Sequence, residues 1–207
     1  MRIFALIVAA APLAIALSAA APAHAQAIPK FQQFLTGTPA GSATFEQRVF
    51  ERGDKLIQQS KGQFAFSRPG KFRWTYDKPK QVIVGDGDKV WIYDEDLQQV
   101  TARKLGNALS STPAALLTGG AEVAKLFTLK EEGVKDGIDW LEAKPRQGDT
   151  GFERIRIGFR GDALAEMELF DQFGNRTALR FSALKRGPQD AAQFRFVAPK
   201  GADVIAD

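Results

Sequence analysis

The side chains that most often act as nucleophiles, general bases or metal ligands are scarce in this 207-residue sequence. It contains no Cys, so it can form no disulfide, thiolate nucleophile or thiolate-bound metal centre. It contains one His, His24. A Ser-His-Asp triad or a zinc site built on histidine would therefore depend on where that residue lies.

The histidine falls within an N-terminal segment typical of a secretory signal peptide. Arg2 supplies the positive charge at the start, Ile3–Leu17 forms an apolar run, and Ala23–Ala25 provides the small-residue cleavage pattern. An apolar run of about 18 residues could also span a bilayer as a retained anchor. Pro12 and the cleavage pattern favour removal instead. We therefore predict a cleaved signal peptide over residues 1–25.

The mature chain, a single domain over residues 26–207, then lacks both His and Cys. Arg2 leaves with the signal, which lowers the formal net charge from +4 to +3. Acidic and basic residues are interleaved, and no Lys/Arg cluster forms an electrostatic footprint, so we expect no nucleic-acid partner. A mature chain without Cys cannot carry a lipid on an N-terminal cysteine. We expect a soluble protein in the periplasm.

Three remaining polar groupings could suggest chemistry, and each has a simpler interpretation. Asp94–Asp96 places three carboxylates together, but adjacent residues of a strand point in different directions and lack the spacing of a calcium loop, so we predict a solvated turn. Ser110 and Ser111 near Lys104 are ordinary capping residues before a helix. Residues 118–120 do not form a phosphate loop. We predict no catalytic residue, no metal and no cofactor, and hence a protein that is not an enzyme.

Arg68 is the polar residue with the most unusual predicted position. It directly precedes Pro69–Gly70, and strand alternation turns its side chain to the same face as Phe64 and Phe66. A buried guanidinium needs hydrogen-bond acceptors. The nearest candidates are the free carbonyls at the ends of two short helices. The alternative is a solvated arginine in a turn.

Two short helices are predicted. The first covers Ile28–Leu35 and has an apolar stripe at i, i+3 and i+4, formed by Phe31, Phe34 and Leu35. The second covers Ala114–Leu117 and follows Thr112–Pro113, a capping residue and a proline suited to the first helical position.

The rest of the chain alternates with a period of two, as half-buried strands do. We predict strands over Thr44–Phe50, Gly62–Arg68, Lys71–Tyr76, Gln81–Val84, Lys89–Tyr93, Leu97–Arg103, Leu126–Glu131, Ile138–Ala143, Phe152–Arg160, Ala163–Phe170, Thr177–Leu184 and Phe194–Val197. So many half-buried strands must curl or close. We expect one curved antiparallel sheet or open barrel, with its apolar faces inward and the helices at its mouth. The pattern leaves open whether the interior is a filled core or a cavity.

Several segments resemble one known family in their order and spacing. They are Phe45-Glu46-Gln47, Arg68-Pro69-Gly70-Lys71-Phe72-Arg73-Trp74, Val84-x-Asp86-Gly87-x-x-Val90-Trp91-Ile92-Tyr93, Gln98-Gln99-Val100, Ser111-Thr112-Pro113 and Phe194-x-Phe196 with Pro199-x-Gly201. Across essentially the whole mature chain this series is similar to LolA, the family of periplasmic outer-membrane lipoprotein carriers.

The resemblance implies a fold and a function. The fold would be mainly β with short helices, an unclosed antiparallel β-barrel with a helical lid over a hydrophobic cavity. Such a carrier accepts acylated lipoproteins from an inner-membrane ABC-type release complex and shields their acyl chains. It then passes them to LolB, an outer-membrane acceptor of similar fold. We expect this chain to do the same as a monomer, and the resemblance favours a cavity over a filled core.

The resemblance also implies site residues. Arg68 matches the family's arginine that hydrogen-bonds the lid and holds it shut, and Phe72 matches an aromatic residue involved in lipoprotein transfer. Leu35 falls in the first lid helix, and Leu116 and Leu117 fall in the second. The residues expected to line the cavity and lid are Leu35, Phe45, Phe64, Phe66, Phe72, Trp74, Trp91, Leu116 and Leu117.

Two rival functions remain. A lipid- or lipoprotein-binding module of the same fold could act as an acceptor or a sensor, although the acceptor needs an N-terminal Cys for its own anchor. An enzyme using carboxylates alone would need two facing acids, which the sequence does not display.

Overall fold

The computed structural model describes residues 26–105, 113–119, 125–146 and 151–206, and within them one sheet dominates the molecule. The helices are α1 (Ala27–Gly37) and α2 (Pro113–Thr118), with a 3-10 turn at Ala191–Phe194. The strands are β1 (Ala40–Glu51), β2 (Lys55–Ser67), β3 (Lys71–Tyr76), β4 (Gln81–Asp86), β5 (Lys89–Asp94), β6 (Gln99–Lys104), β7 (Phe127–Lys135), β8 (Ile138–Pro145), β9 (Arg154–Arg160), β10 (Ala163–Phe170), β11 (Arg176–Arg186) and β12 (Asp203–Ala206).

The twelve strands form one sheet in the order β12-β6-β5-β4-β3-β2-β1-β11-β10-β9-β8-β7. Its two edges, β12 and β7, are not paired with each other, so the sheet is unclosed. Most neighbours are joined by short turns, which makes their pairing antiparallel. The prediction of a mainly β, unclosed architecture with short helices is therefore confirmed.

Two details at the end of the chain correct the predictions. The strand expected over Phe194–Val197 is instead the end of the 3-10 turn and an irregular segment after it. A further strand, β12, was not predicted, and it pairs with β6 in parallel, so the sheet is not purely antiparallel. Thr112, the expected N-cap of α2, and the expected signal peptide lie outside the described residues.

Cross-strand register places most of the large apolar side chains on one face of the sheet. Phe64 on β2 lies opposite Trp74 on β3, and Phe45 on β1 lies opposite Phe181 on β11. Residues opposite one another in a ladder point to the same side. The inner face therefore runs continuously across both halves of the sheet.

Contacts of α1 show that the sheet curves around this inner face. The ring of Phe34 lies 5.9 Å from that of Phe66 on β2 and 6.2 Å from that of Phe159 on β9. Four strand spacings separate β2 from β9, which would be about 19 Å in a flat sheet. One side chain can touch both rings because the sheet bends around the helix.

The outer face carries a smaller apolar cluster and a ladder of charges. Val84, Val100, Ala102 and Phe194 form this outer cluster, where the 3-10 turn packs against β3 and β4. The ladder of charges includes Arg156 on β9, which binds Glu132 and lies 2.6 Å from Glu168.

None of the helices in the described part of the chain is long and apolar enough to cross a membrane.

Candidate functional site

Arg68 is partly buried and lies against two aromatic rings. Its guanidinium carbon is 4.6 Å from the ring centre of Phe34 on α1 and 4.5 Å from that of Phe66 on β2. Cations over aromatic faces are attracted by the ring quadrupole, more strongly when water is excluded. The guanidinium therefore contacts one aromatic ring of the helix and one of the sheet, whose centres are themselves 5.9 Å apart.

The edges of the same guanidinium bind the ends of both helices. Nη1 donates to the carbonyl oxygen of Thr38, the C-cap residue directly after α1, and Nη2 donates to the carbonyl oxygen of Leu117 at 2.5 Å. The last carbonyls of a helix have no intrahelical partner and carry the negative end of its dipole. The structure thus has the helix-end acceptors that the sequence suggested for Arg68.

Backbone groups of the same turn bind the two helix ends as well. The Arg68 amide donates to the carbonyl oxygen of Pro39 at 2.8 Å, and the Gly70 amide donates to that of Thr118 at 3.2 Å. Gly70 has a φ of 70°. This left-handed conformation costs little in glycine. The turn between β2 and β3 therefore contacts the sequence following α1 and the end of α2 through four hydrogen bonds.

Burial changes the acidity of Arg68 without removing its charge. Loss of hydration lowers the pKa of its side chain to about 10. That value is well above neutral pH, so the guanidinium stays protonated and can donate to both carbonyls. Nε is also buried and has no hydrogen-bond partner among the described residues. Such an arrangement has an energetic cost, because an unsatisfied donor loses its hydration.

Eight of the nine residues expected in the cavity and lid belong to one buried cluster. Together with side chains from the second half of the sheet they form what we call the inner cluster. The eight residues are Leu35, Phe45, Phe64, Phe66, Phe72, Trp74, Leu116 and Leu117. Several of their aromatic rings are in contact, for example those of Phe64 and Trp74 at 4.4 Å between ring centres. The interior around them is occupied by side chains.

The ring of Phe72 fits where the next strand has a glycine, Gly85, and therefore no side chain. It lies opposite Gly85 on β4, and a Cβ at that glycine would be 2.3 Å from the Phe72 ring. The ring occupies the space that any other residue would need. This packing makes Phe72 fully buried.

Trp91 is the one residue that the structure places elsewhere, and its assignment to the cavity is wrong. It lies opposite Val84, which alternation puts on the outer face. Its ring stacks on Phe196 at 5.5 Å between centres, and its Nε1 donates to Asp86 at 2.8 Å. Burial alone would raise the pKa of Asp86, but hydrogen bonds from Lys89, Trp91 and Asp88 together lower it. Trp91 therefore contacts the end of β4 and the C-terminal segment, and it does not belong to the inner cluster.

The inner cluster also contains residues that were not among the expected site residues. They come mainly from β8 to β11 and include Leu141, Ile155, Ile157, Phe159, Met167, Leu169, Leu179 and Phe181. The alternation of Ile155, Ile157 and Phe159 already indicated an apolar face for β9. What the alternation could not indicate is that this face meets the same interior as β1 to β3.

A groove of about 640 Å³ opens between α1 and the edge strand β7. Its apolar side chains are Ile28, Leu35, Phe127 and Leu129, and Lys125 and Arg146 add positive charge. Leu35 also belongs to the inner cluster. The groove therefore leads from the unpaired edge of the sheet toward the interior.

Comparison with solved structures supports the fold. An uncharacterized conserved protein from Thermus thermophilus superposes with a TM-score of 0.55 at 16% identity, covering 88% of this chain and 100% of that one. At this identity the likeness concerns the fold alone.

Comparison of sequences identifies the family. The chain is 50% identical to an outer-membrane lipoprotein carrier protein of Dechloromonas aromatica, over 89% of this chain and 90% of that one. It is 49% identical to a protein of the same description from Cupriavidus pinatubonensis, over 99% of each. Residues 37–197 match the sequence model described as "Outer membrane lipoprotein carrier protein LolA". With matches at this identity over nearly its whole length, the chain belongs to the LolA family.

Proposed function

We propose that this protein is a periplasmic chaperone that accepts acylated lipoproteins released from the inner membrane and delivers them to an outer-membrane acceptor. The relatives described above are named as carriers of outer-membrane lipoproteins. The observation that carries the proposal is an apolar interior covered by two helices that share one arginine. We call α1 and α2 the lid.

Acyl chains would take the place of lid side chains rather than enter an empty space. Phe31, Phe34 and Leu35 of α1 are all buried against the sheet. Burial of each such side chain contributes about 1.5–3 kcal/mol. Displacing α1 therefore has a large cost in water, and acyl chains offset it by covering the apolar surface that the helix leaves.

The energetics explain why a carrier should have a closed lid. An acyl chain of about 15 methylenes gains about 12 kcal/mol on full burial, so three chains would exceed the ~20 kcal/mol ceiling of non-covalent affinity. A protein that captured all of this free energy could not release its cargo. Breaking the bonds of Arg68 and exposing α1 consumes part of the gain and keeps binding reversible.

The groove between α1 and β7 is the proposed path for the acyl chains. It lies on the side where the sheet is unclosed, and its apolar residues adjoin the inner cluster. A chain lying first along Phe127 and Leu129 could follow α1 inward as the helix moves away. Lys125 and Arg146 would stay near the polar end of the lipid or the polypeptide of the cargo.

The proposed partners follow from this role. An inner-membrane ABC-type release complex would load the carrier, and LolB or an equivalent outer-membrane acceptor would unload it. Delivery can proceed without nucleotide hydrolysis if the acceptor binds the acyl chains more tightly than the carrier does. We propose that the carrier works as a monomer after cleavage of residues 1–25.

The test uses the mature chain, a triacylated lipopeptide and the same peptide without acyl groups. The carrier should hold the lipopeptide in solution without detergent, ignore the unacylated peptide, and release intact cargo to a purified outer-membrane acceptor. A folded protein that binds neither peptide contradicts the proposal. Hydrolysis of the acyl bonds would show an enzyme, and binding without transfer to the acceptor would show a sensor.

A further inference from the structure

The N-terminal end of α1 is bound by a carboxylate of the sheet. Glu131 on β7 accepts a hydrogen bond from the Ile28 amide at 2.8 Å through Oε1 and from the Ala27 amide at 3.1 Å through Oε2. The first amides of a helix have no intrahelical partner and form the positive end of its dipole. Glu131 therefore caps α1 from a strand more than 100 residues away in sequence.

A second carboxylate, on the neighbouring strand, binds the same end. Asp139 on β8 lies 2.5 Å from Lys30 Nζ, and its other oxygen accepts from the Gln26 amide at 3.4 Å. The Lys30 and Asp139 side chains are only 17% and 15% exposed. Ion pairs with little solvent exposure are screened less than those on an open surface.

The two ends of α1 differ in their covalent connection to the fold. Its C-terminal end continues through Thr38 and Pro39 directly into β1, so it can pivot but cannot leave. If the signal peptide is cleaved after Ala25, its N-terminal end is the start of the mature chain. That end has no covalent tie to the sheet, and the contacts with Glu131 and Asp139 hold it there.

We propose that Glu131 and Asp139 form a second latch, in addition to the contacts of Arg68. This second latch holds the free end of α1 and must release it for the interior to open. Arg68 binds at the end that is already tethered by the chain. Loss of the Arg68 bonds would make the closed form less stable, but the free end of α1 would still be held over the inner cluster by Glu131 and Asp139. Opening therefore needs the free end to leave β7 and β8, with Thr38–Pro39 as the pivot. This inference rests on the proposed carrier function, which requires the interior to open.

Signal cleavage would also complete this latch. In the mature chain the Gln26 nitrogen, which is an amide in the precursor, becomes an α-ammonium beside Asp139. A positive charge at a helix N-terminus is unfavourable by itself. The carboxylates of Asp139 and Glu131 compensate for it, and the new charge adds an ion pair that the precursor lacks.

The second latch can be tested by distance measurement between spin labels, since the chain has no native Cys to interfere. Pro29 near the free end of α1, Thr36 near the tethered end and Gln59 on β2 are exposed positions for the labels. The two pairs are Pro29→Cys with Gln59→Cys and Thr36→Cys with Gln59→Cys. Both are measured in the mature chain without lipopeptide.

In Glu131→Gln/Asp139→Asn, the Pro29 pair should show a longer-distance population at least about tenfold larger than in the parent chain. The Thr36 pair should move much less, because the pivot is close to it. The matched control is Glu132→Gln, which removes the adjacent carboxylate, bound to Arg156 on the opposite face. It should leave both distances unchanged.

The proposal is overturned if the Pro29 distance does not change in a folded double variant, if Glu132→Gln opens the helix as much, or if the Thr36 end moves more. Should the double variant fail to fold, Glu131→Asp decides the matter. This substitution keeps the charge but shortens the reach to the α1 amides, and it must still lengthen the Pro29 distance. Because no cargo is present, a negative result leaves the carrier function standing, and failure of lipopeptide binding leaves the latch measurement intact.

Discussion

Arg68 combines three kinds of contact that are individually modest. The guanidinium contacts the rings of Phe34 and Phe66, its two terminal nitrogens bind carbonyls, and its charge lies at the C-terminal ends of two helices. Lys could supply the charge but not the planar geometry, since its ammonium is a point donor. The residue is therefore suited to a closure that is directional and can be released as one unit.

Removing this residue should shift the carrier toward its open, loaded form. In Arg68→Leu both charge-assisted hydrogen bonds are lost, each contributing about 1.5–3 kcal/mol. We expect the open fraction to rise tenfold or more and delivery to the acceptor to slow accordingly, because a closing lid no longer helps to expel the cargo. The measurement is transfer of labelled lipopeptide to the acceptor over time.

The control for that variant is Arg73→Leu. Arg73 lies on the outer face of β3 and donates to the Gln193 carbonyl oxygen at 3.2 Å, away from both helices. It should transfer lipopeptide like the parent chain. Delivery by Arg68→Leu at the parent rate would show that Arg68 does not control the lid.

Among the secondary-structure elements, the contact between β3 and β4 depends on the ring of Phe72, which lies over Gly85. Gly85→Ala would bring a methyl group to 2.3 Å from the Phe72 ring, so the ring must move into the inner cluster. Overpacking of this kind costs about 1–3 kcal/mol. We expect a lower free energy of unfolding, measured by denaturant titration, and weaker lipopeptide binding because Phe72 is displaced.

A second glycine in the chain provides a matched control. Gly37 is the last residue of α1, and a Cβ there would meet only the Gln33 side chain at 3.9 Å. Gly37→Ala should therefore be neutral or slightly stabilising, since alanine favours a helix. Equal destabilisation by both substitutions would mean that contact with Phe72 is not the cause.

At the scale of the whole molecule, the sheet has an apolar cluster on each face. The inner cluster lies under the lid, and the outer cluster lies under the C-terminal segment. Arg73, Val84 and Trp91 show how β3 to β5 contribute to the outer face while Phe72 and Val90 contribute to the inner one. The proposed site uses one face, and the other face stabilises the sheet that supports it.

Phe194→Ala separates the two clusters experimentally. Phe194 is 2% exposed in the 3-10 turn on the outer face, and truncation of a buried Phe costs about 3–5 kcal/mol. We expect a large loss of stability in denaturant titration but an unchanged lipopeptide affinity for the molecules that remain folded. A fall in affinity would show that the outer cluster takes part in binding.

Much of the local structure could be predicted from the sequence because it depends on periodicity and turn residues. The apolar stripe of α1 is present, and so are the strands predicted over Gln81–Val84 and Lys89–Tyr93, which pair with each other. The strand β10 has the predicted bounds, Ala163–Phe170. The end of the chain was predicted less well, since β12 is short, exposed and paired in parallel with a distant strand. Nothing in a four-residue segment indicates such a partner.

The sequence alone shows which residues are apolar on one face, that Arg68 shares the face of Phe64 and Phe66, and that residues 26–207 contain neither His nor Cys. These are properties of composition and of short spacings. The face that Trp91 occupies, and the contacts of Glu131 and Asp139 with the start of α1, depend on how the strands are arranged in three dimensions. Strand alternation defines two faces of a sheet but not what covers each face. Contacts between residues more than 100 positions apart in sequence depend on how the sheet curves.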